Sequence, residues 1–268
     1  MRILNRKQRL SQIISILDSF GKVTVNELVE KYQVSGTSIR NDLDKLEKKG
    51  LLKKVYGGAV SISHIGMEIS YDSKRVKNYT QKQKIAKRAS NFIQENMAIF
   101  LDAGTTCSQL IPFIKQHKVF VVTVDLLIAS ELAKNSNVTV RLLGGIVSGK
   151  TLSTNSIDTI MQLKRMHFDI AFIGCDSFTV NEFETFSENK AQLKQIATKN
   201  ANLSVILADN SKFNLRSLYR FAVLDDVDYI VTDEKPLGIS SQLEGKDLKK
   251  FIFGTRKNHE RIHCNPNG

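Results

Sequence analysis

Cysteine is scarce in this chain of 268 residues: Cys107, Cys175 and Cys264 are odd in number, far apart, and never separated by two residues. That usage fits neither a disulfide framework nor a zinc site, and it predicts a reducing cytoplasm as the location. No apolar run approaches the roughly 20 residues that cross a bilayer, so no membrane partner is expected. Arg2, Arg6, Lys7 and Arg9 have no uninterrupted apolar stretch behind them, so no secretory leader is expected either. What is present is material for a core: 41% of residues are hydrophobic and the mean hydropathy is −0.19. The length exceeds a typical single domain and predicts two domains of unequal size.

The formal net charge is +12, unevenly distributed. Residues 1–60 carry 12 Lys and Arg against 6 Asp and Glu, so half the excess sits in under a quarter of the chain. Concentrated basic charge suits phosphate neutralisation on DNA, although a solvated lysine-rich surface looks the same by charge alone. Pattern separates the two. Leu10, Ile13, Ile14, Leu17 and Phe20 recur at helical spacing and predict a helix over 5–20, stopped by Gly21. An extended Lys22-Val23-Thr24 leads to a second helix with Leu28, Val29 and Tyr32 facing inward. Gln33-Val34 turns the chain, and Ser35 is a good N-cap for a third helix whose apolar stripe is Ile39, Leu43 and Leu46. Its opposite face offers Thr37, Ser38, Arg40, Asn41 and Lys45. Arg pairs with guanine, Asn with adenine, and hydroxyls and Lys with backbone oxygens, so with Ser35 these are the candidate DNA contacts. Short strands on either side of Tyr56-Gly57-Gly58 predict a β-hairpin wing, with Lys53 and Lys54 placed for phosphates.

Val34-Ser35-Gly36-Thr37-Ser38-Ile39-Arg40-Asn41-Asp42-Leu43, then Leu46-Glu47-Lys48-Lys49-Gly50 and Tyr56-Gly57-Gly58-Ala59, resembles the DNA-binding signature of the DeoR family of sugar-metabolism repressors. Where that family usually has Thr-Ile-Arg-Arg-Asp-Leu, this chain has Ser38 for the Thr and Asn41 for the second Arg. Tyr56 stands where the wing usually has His. The resemblance implies a winged helix-turn-helix that binds operator DNA.

Residues 61–80 lack sustained periodicity and read as a linker. Beyond Ile85, Ala89, Phe92 and Ile93 the chain alternates strand and helix, which predicts an α/β domain with a mostly parallel sheet covered on both faces. Strands are expected at 98–101, 119–122, 138–143, 170–173, 205–207 and 229–231. Ligands of such sheets gather beyond the carboxyl ends of the strands. There the chain places Asp102, Gly104, Thr105, Thr106, Thr123, Asp125, Gly144, Gly145, Gly174, Asp176, Asp209, Ser211 and Lys212. Gly104 permits a tight turn, after which the amides and hydroxyls of Thr105 and Thr106 at a helix start suit a phosphate, with Lys212 as its charge partner. The carboxylates Asp102, Asp125, Asp176 and Asp209 suit sugar hydroxyls. Each loop alone is as consistent with a turn or helix cap; five on one sheet edge favour a ligand site. The predicted organisation is a winged helix-turn-helix at 1–62, a linker at 63–80, an effector-sensing α/β domain at 81–237, and an unassigned tail at 238–268.

Asp102-Ala103-Gly104-Thr105-Thr106, Leu143-Gly144-Gly145, Phe172-Ile173-Gly174-Cys175-Asp176, Lys190-Ala191-Gln192-Leu193-Lys194 and Leu207-Ala208-Asp209-Asn210-Ser211-Lys212-Phe213 are similar to the sensor domain of the same family. The resemblance implies a fold related to ribose-5-phosphate isomerase and a phosphorylated sugar or relative as effector. Asn189-Lys190 and Gly174-Cys175-Asp176-Ser177 depart from the family's usual residues. His259, His263 and Cys264 have spacing compatible with metal ligands but lack a scaffold, so no metal is expected, and no cofactor. The leading expectation is therefore a ligand-responsive regulator, acting as a homodimer or higher oligomer on operator DNA. An enzyme reading would make Asp102, Asp125 or Glu188 a general base beside a Lys212-bound phosphate; a third reading is a constitutive architectural DNA binder.

Overall fold

The computed structural model describes residues 5–20, 22–61, 71–236, 239, 243 and 246–254. The chain divides into two compact units, residues 1–76 and 77–268.

The first unit is built as its periodicity dictates. Helices α1 (Arg6–Phe20), α2 (Val25–Tyr32) and α3 (Gly36–Lys48) pool Ile13, Leu17, Leu28, Ile39, Leu43 and Leu46 into one core. Thr24 caps α2 reciprocally with Glu27, which satisfies two backbone amides at once. Between α2 and α3 the chain turns at Gln33, which adopts left-handed backbone (φ 53°) and donates its amide to Val29 O at 2.8 Å. Ser35 then caps α3 by accepting the Ser38 amide at 3.2 Å. Strands β2 (Lys53–Val55) and β3 (Gly58–Val60) form the expected hairpin, and β1 (Lys22–Thr24) adds a third strand on β3. Gly58 is required there, because a Cβ would stand 2.1 Å from Val23 O. A short helix α4 (Tyr71–Val76) closes the unit. It lies inside the interval read as linker, and it escaped the periodicity test because none of its side chains is buried.

The second unit carries seven parallel strands in the order β15-β14-β12-β9-β4-β5-β6. These are β4 (Ala98–Leu101), β5 (Val119–Thr123), β6 (Val138–Leu142), β9 (Phe168–Gly174), β12 (Ala201–Leu207), β14 (Tyr229–Thr232) and β15 (Phe251–Phe253). Period-two alternation sorts their side chains between two cores. Ile99, Leu101, Ile170, Phe172, Val205, Leu207 and Val231 pack on one face beneath α5 (Tyr79–Ala89) and α7 (Leu126–Leu132). Phe100, Ala171, Ile173, Ile206 and Ile230 pack on the other beneath α8 (Ile157–Leu163) and α9 (Glu188–Lys199). A small antiparallel sheet of β10 (Ser177–Phe178), β11 (Glu182–Thr185) and β13 (Tyr219–Val223) covers part of this second face. A hairpin of β7 (Val147–Ser148) and β8 (Ser153–Thr154) follows β6.

All six expected strands form. The seventh, β15, corrects the reading of 238–268 as an unassigned tail: Phe251 is buried and its strand pairs in parallel with β14. Three apolar residues among lysines are too short a run to announce a strand. From β4 the chain proceeds outward through β5 and β6, then returns to β9 on the other side of β4. The topological switch point therefore lies between β4 and β9, where open α/β sheets leave a crevice beyond their strand ends. Among the described residues, no helix is long and apolar enough to cross a membrane.

Candidate functional site

On α3, Thr37, Arg40, Asn41 and Lys45 are exposed together and Ser38 is half-buried against Ser35, the two hydroxyls 3.0 Å apart. Ser35 is thus occupied as a cap. Lys53 is exposed on the wing, but Lys54 is engaged twice: its ammonium pairs with Asp44, and its amide donates to Glu47 Oε1 at 2.7 Å. Of the two lysines expected at phosphates, only Lys53 stands clear of an acidic partner among the described ion pairs. Tyr56 is fully exposed at the wing tip.

The face is held by a group that the apolar stripe of α3 concealed. Asp42 is completely buried, and its two carboxylate oxygens each accept a guanidinium Nε at 2.7 Å, one from Arg6 and one from Arg9 of α1. Part of the basic charge counted toward DNA is thereby neutralised inside the unit. A carboxylate three residues after Ile39 and four before Leu46, on a stripe otherwise apolar, was the available signal.

In the second unit the sheet edge assembles around the switch point. Asp102, just beyond β4, is buried; Oδ1 accepts the Ala103 amide at 2.8 Å and Oδ2 the Gly174 amide at 3.0 Å. The Lys194 ammonium of α9 pairs with the same Oδ2 and donates to Gly174 O at 2.8 Å. Lys212 donates to the next carbonyl, Cys175 O, at 2.7 Å. A buried ammonium, Lys194, and a half-buried one, Lys212, thus meet adjacent carbonyls at the end of β9. Burial works against both charges, but Asp102 beside Lys194 and Asp209 beside Lys212 outweigh it and hold both pKa values above the usual lysine range. Burial also opposes the Asp209 charge, yet Lys212, the Ser211 hydroxyl, Lys82 and Asn78 keep its carboxyl below the usual range. Lys194, Lys212 and Asp209 are thus each shifted toward the charged form.

Several expected contacts have structural duties here. Asp125 caps α7 through the Leu127 and Ile128 amides at 2.9 and 3.0 Å, and its other oxygen accepts the Gly104 amide at 3.0 Å. Completely buried, its carboxyl is pushed up in pKa by desolvation. Thr123 Oγ1 accepts the Asp125 amide at 3.1 Å, and Asp176 accepts the Thr185 hydroxyl at 2.7 Å. Thr105 and Thr106 are buried and enter a 3-10 turn, Cys107–Leu110, before α6 (Ile111–Ile114). The full helix start expected for phosphate is therefore absent, and only a weak dipole remains. Gly144 and Gly145 stand apart, two strands from β4, and turn the chain against α8. Gly144 O accepts the Thr159 hydroxyl at 2.8 Å, and a Cβ on Gly145 would lie 2.1 Å from that hydroxyl. His259, His263 and Cys264 lie outside the described residues; among those described, no group of three His, Cys, Asp or Glu has metal-binding geometry.

Two family descriptions match this arrangement: a DeoR-like helix-turn-helix domain over residues 9–64 and a DeoR C-terminal sensor domain over residues 77–234. The chain belongs to the DeoR family. It is a DNA-binding transcriptional regulator. Curated relatives agree along nearly their whole lengths. The HTH-type transcriptional regulator GolR of Listeria innocua is 33% identical over 85% of this chain and 91% of that protein. The HTH-type transcriptional regulator GlpR of Haloferax volcanii is 33% identical over 85% and 89%. The lactose phosphotransferase system repressor of Lactococcus lactis subsp. lactis is 32% identical over 92% and 96%. Among solved structures, ribose 5-phosphate isomerase A of Methanocaldococcus jannaschii aligns with a TM-score of 0.37 and 23% identity over 51% of this chain and 55% of that one.

Within this DeoR-family sensor, Lys194 is the charged group that the list of sheet-edge loops omitted. It sits on the buried stripe of α9 between Ala191 and Ala197. It comes from a helix and not from a strand-end loop, where the ligand groups of such sheets gather.

Proposed function

We propose that this regulator represses a carbohydrate-utilisation operon and is released or tightened by a phosphorylated sugar or related metabolite at the β4–β9 edge. On this reading Arg40 and Asn41 contact base edges, while Thr37, Ser38, Lys45 and Lys53 contact phosphates. The observation that carries the sensor half is the pair of ammoniums, buried Lys194 and half-buried Lys212, on the adjacent carbonyls of Gly174 and Cys175. A neutral sugar has little use for that density of positive charge, whereas a phosphate needs it to offset desolvation. Thr105 and Thr106 add hydroxyls at the same edge, and Asp102 holds Lys194 in place. Carbohydrate control accords with the printed names of relatives such as the lactose phosphotransferase system repressor.

The protein acts in the cytoplasm as a homodimer or higher oligomer, because helix-turn-helix modules read paired half-sites through their symmetry. Effector binding shifts the population of arrangements that differ in the spacing of two recognition helices. Catalysis is not part of this function: Asp102 and Asp125, two of the three general-base candidates, have both oxygens engaged by backbone amides or an ammonium. Selection of random duplexes by the full-length protein tests the reading. Recovered sequences sharing an inverted repeat support it, whereas recovery without a common motif contradicts it. Turnover of ribose 5-phosphate or glucosamine 6-phosphate, abolished by Asp102→Asn, would put an enzyme in its place.

A further inference from the structure

Asn78 occupies the cap position of α5, with left-handed backbone at φ 53° and ψ 36°. An asparagine there ordinarily accepts a bond from the second or third amide of its helix. Asn78 makes no such side-chain bond. Its Nδ2 donates instead to Asp209 Oδ1 at 2.8 Å and to Ser211 Oγ at 2.9 Å, on the loop that carries Lys212. The chain thus forgoes a cap, and holds a residue other than glycine in the left-handed region, in order to fasten the first turn of α5 to the effector edge. Lys82, one turn further, is buried and adds its charge toward Asp209, while its ammonium donates to Lys77 O at 2.6 Å. Asp209 therefore feels the charges of both Lys212 and Lys82 while it accepts the Asn78 amide.

The first unit has a matching attachment. Ser73 of α4 donates its hydroxyl to Lys49 O at 2.8 Å, and Lys49 is the C-cap of the recognition helix α3. Five positions of sequence separate Ser73 from Asn78.

We propose that Asn78 is the positioning residue that passes occupancy at Lys212, through Asp209, into the segment running back to α4 and α3. The inference concerns regulation of the effector site proposed above and rests on that reading. A phosphate arriving at Lys212 competes with Asp209 for one ammonium and repels its carboxylate. The balance of forces on Asp209 differs between the empty and occupied states, and Asn78 reports that difference to the start of the unit. Such a difference between two states is what coupling requires.

The test uses the full chain, a fluorescent duplex selected by the wild type, and ribose 5-phosphate, fructose 6-phosphate and inorganic phosphate as probes. Asn78→Gly keeps the left-handed backbone free of strain and deletes both side-chain bonds; Asn78→Asp keeps the size and sets a second carboxylate against Asp209. In the wild type a probe that binds should change operator affinity by a factor of about 5–150, the usual span of coupling. In both variants that factor should fall below about two, while calorimetric probe affinity stays within about threefold of wild type. A folded Asn78→Gly protein that keeps the full factor overturns the proposal. So does one that loses probe binding as completely as Lys212→Ala, since Asn78 would then belong to the ligand site itself. Should Asn78→Gly fail to fold, Asn78→Asp is judged by the same two outcomes. If no probe binds the wild type, the phosphate reading fails first and the relay falls with it.

Discussion

Replacing Asp42 by alanine isolates the clamp that orients the recognition helix. The wild-type carboxylate is inaccessible, Arg9 is 11% exposed in its side chain, and Arg6 is 53% exposed. Removing one partner of a buried ion pair costs about 3–5 kcal/mol, because a charge remains without compensation. The exposed Arg6 arm is worth only about 0–1 kcal/mol, being solvated and screened. Asp42→Ala should therefore destabilise the first unit by about 3 kcal/mol, Arg9→Ala by a comparable amount, and Arg6→Ala by under about 1 kcal/mol. Hydrogen exchange of α1 and α3 peptides in the full chain measures this locally. About 3 kcal/mol corresponds to roughly 100–200-fold faster exchange. Exchange within about threefold of wild type in Asp42→Ala would refute the clamp, as would equal effects of the two arginine substitutions.

Arg40→Ala should lose about 1–3 kcal/mol on the selected operator and relax its specificity, measured by competition with point-substituted duplexes. Lys53→Ala should weaken all duplexes alike and lower the slope of log affinity against log salt by about one, whereas Lys54→Ala, already paired with Asp44, should change it less. Gly145→Ala should lower the melting temperature. Its backbone lies at φ +148° and the new methyl would stand 2.1 Å from Thr159 Oγ1, an overpacking worth about 1–3 kcal/mol. Burial pushes the Cys175 thiol up to about 12 and raises Cys107 as well, so an aromatic disulfide reagent at pH 8 should label neither until denaturant is added.

The alternating strands and the helical stripes were legible because burial imposes a period that composition can display: Ile170 and Phe172 go to one face, Ala171 and Ile173 to the other. Elements without a buried stripe were not legible. Helix α4 buries nothing, and β15 contributes three apolar residues within a basic stretch. The candidate site divides along the same line. Residue type marked Arg40, Asn41 and Lys212, but type alone does not disclose which polar groups are already satisfied. Asp125 looked like a ligand carboxylate and is a helix cap that also binds the Gly104 amide. Lys194 and Asp42 are charged residues on helices, yet each is buried with partners far away in sequence, Lys194 on Asp102 and Asp42 on Arg6 and Arg9. Such pairings are properties of tertiary packing, and no local pattern encodes them.

Whether anion binding at the β4–β9 edge controls the grip on DNA is decided by operator binding in the presence of a sugar phosphate and of its unphosphorylated parent. Anisotropy of the selected duplex would be followed for the wild type and for Lys212→Ala. The phosphorylated compound alone should shift wild-type affinity. Lys212→Ala should abolish the shift while ligand-free operator affinity stays close to wild type. An equal response to both compounds, or an intact response in Lys212→Ala, would contradict such control.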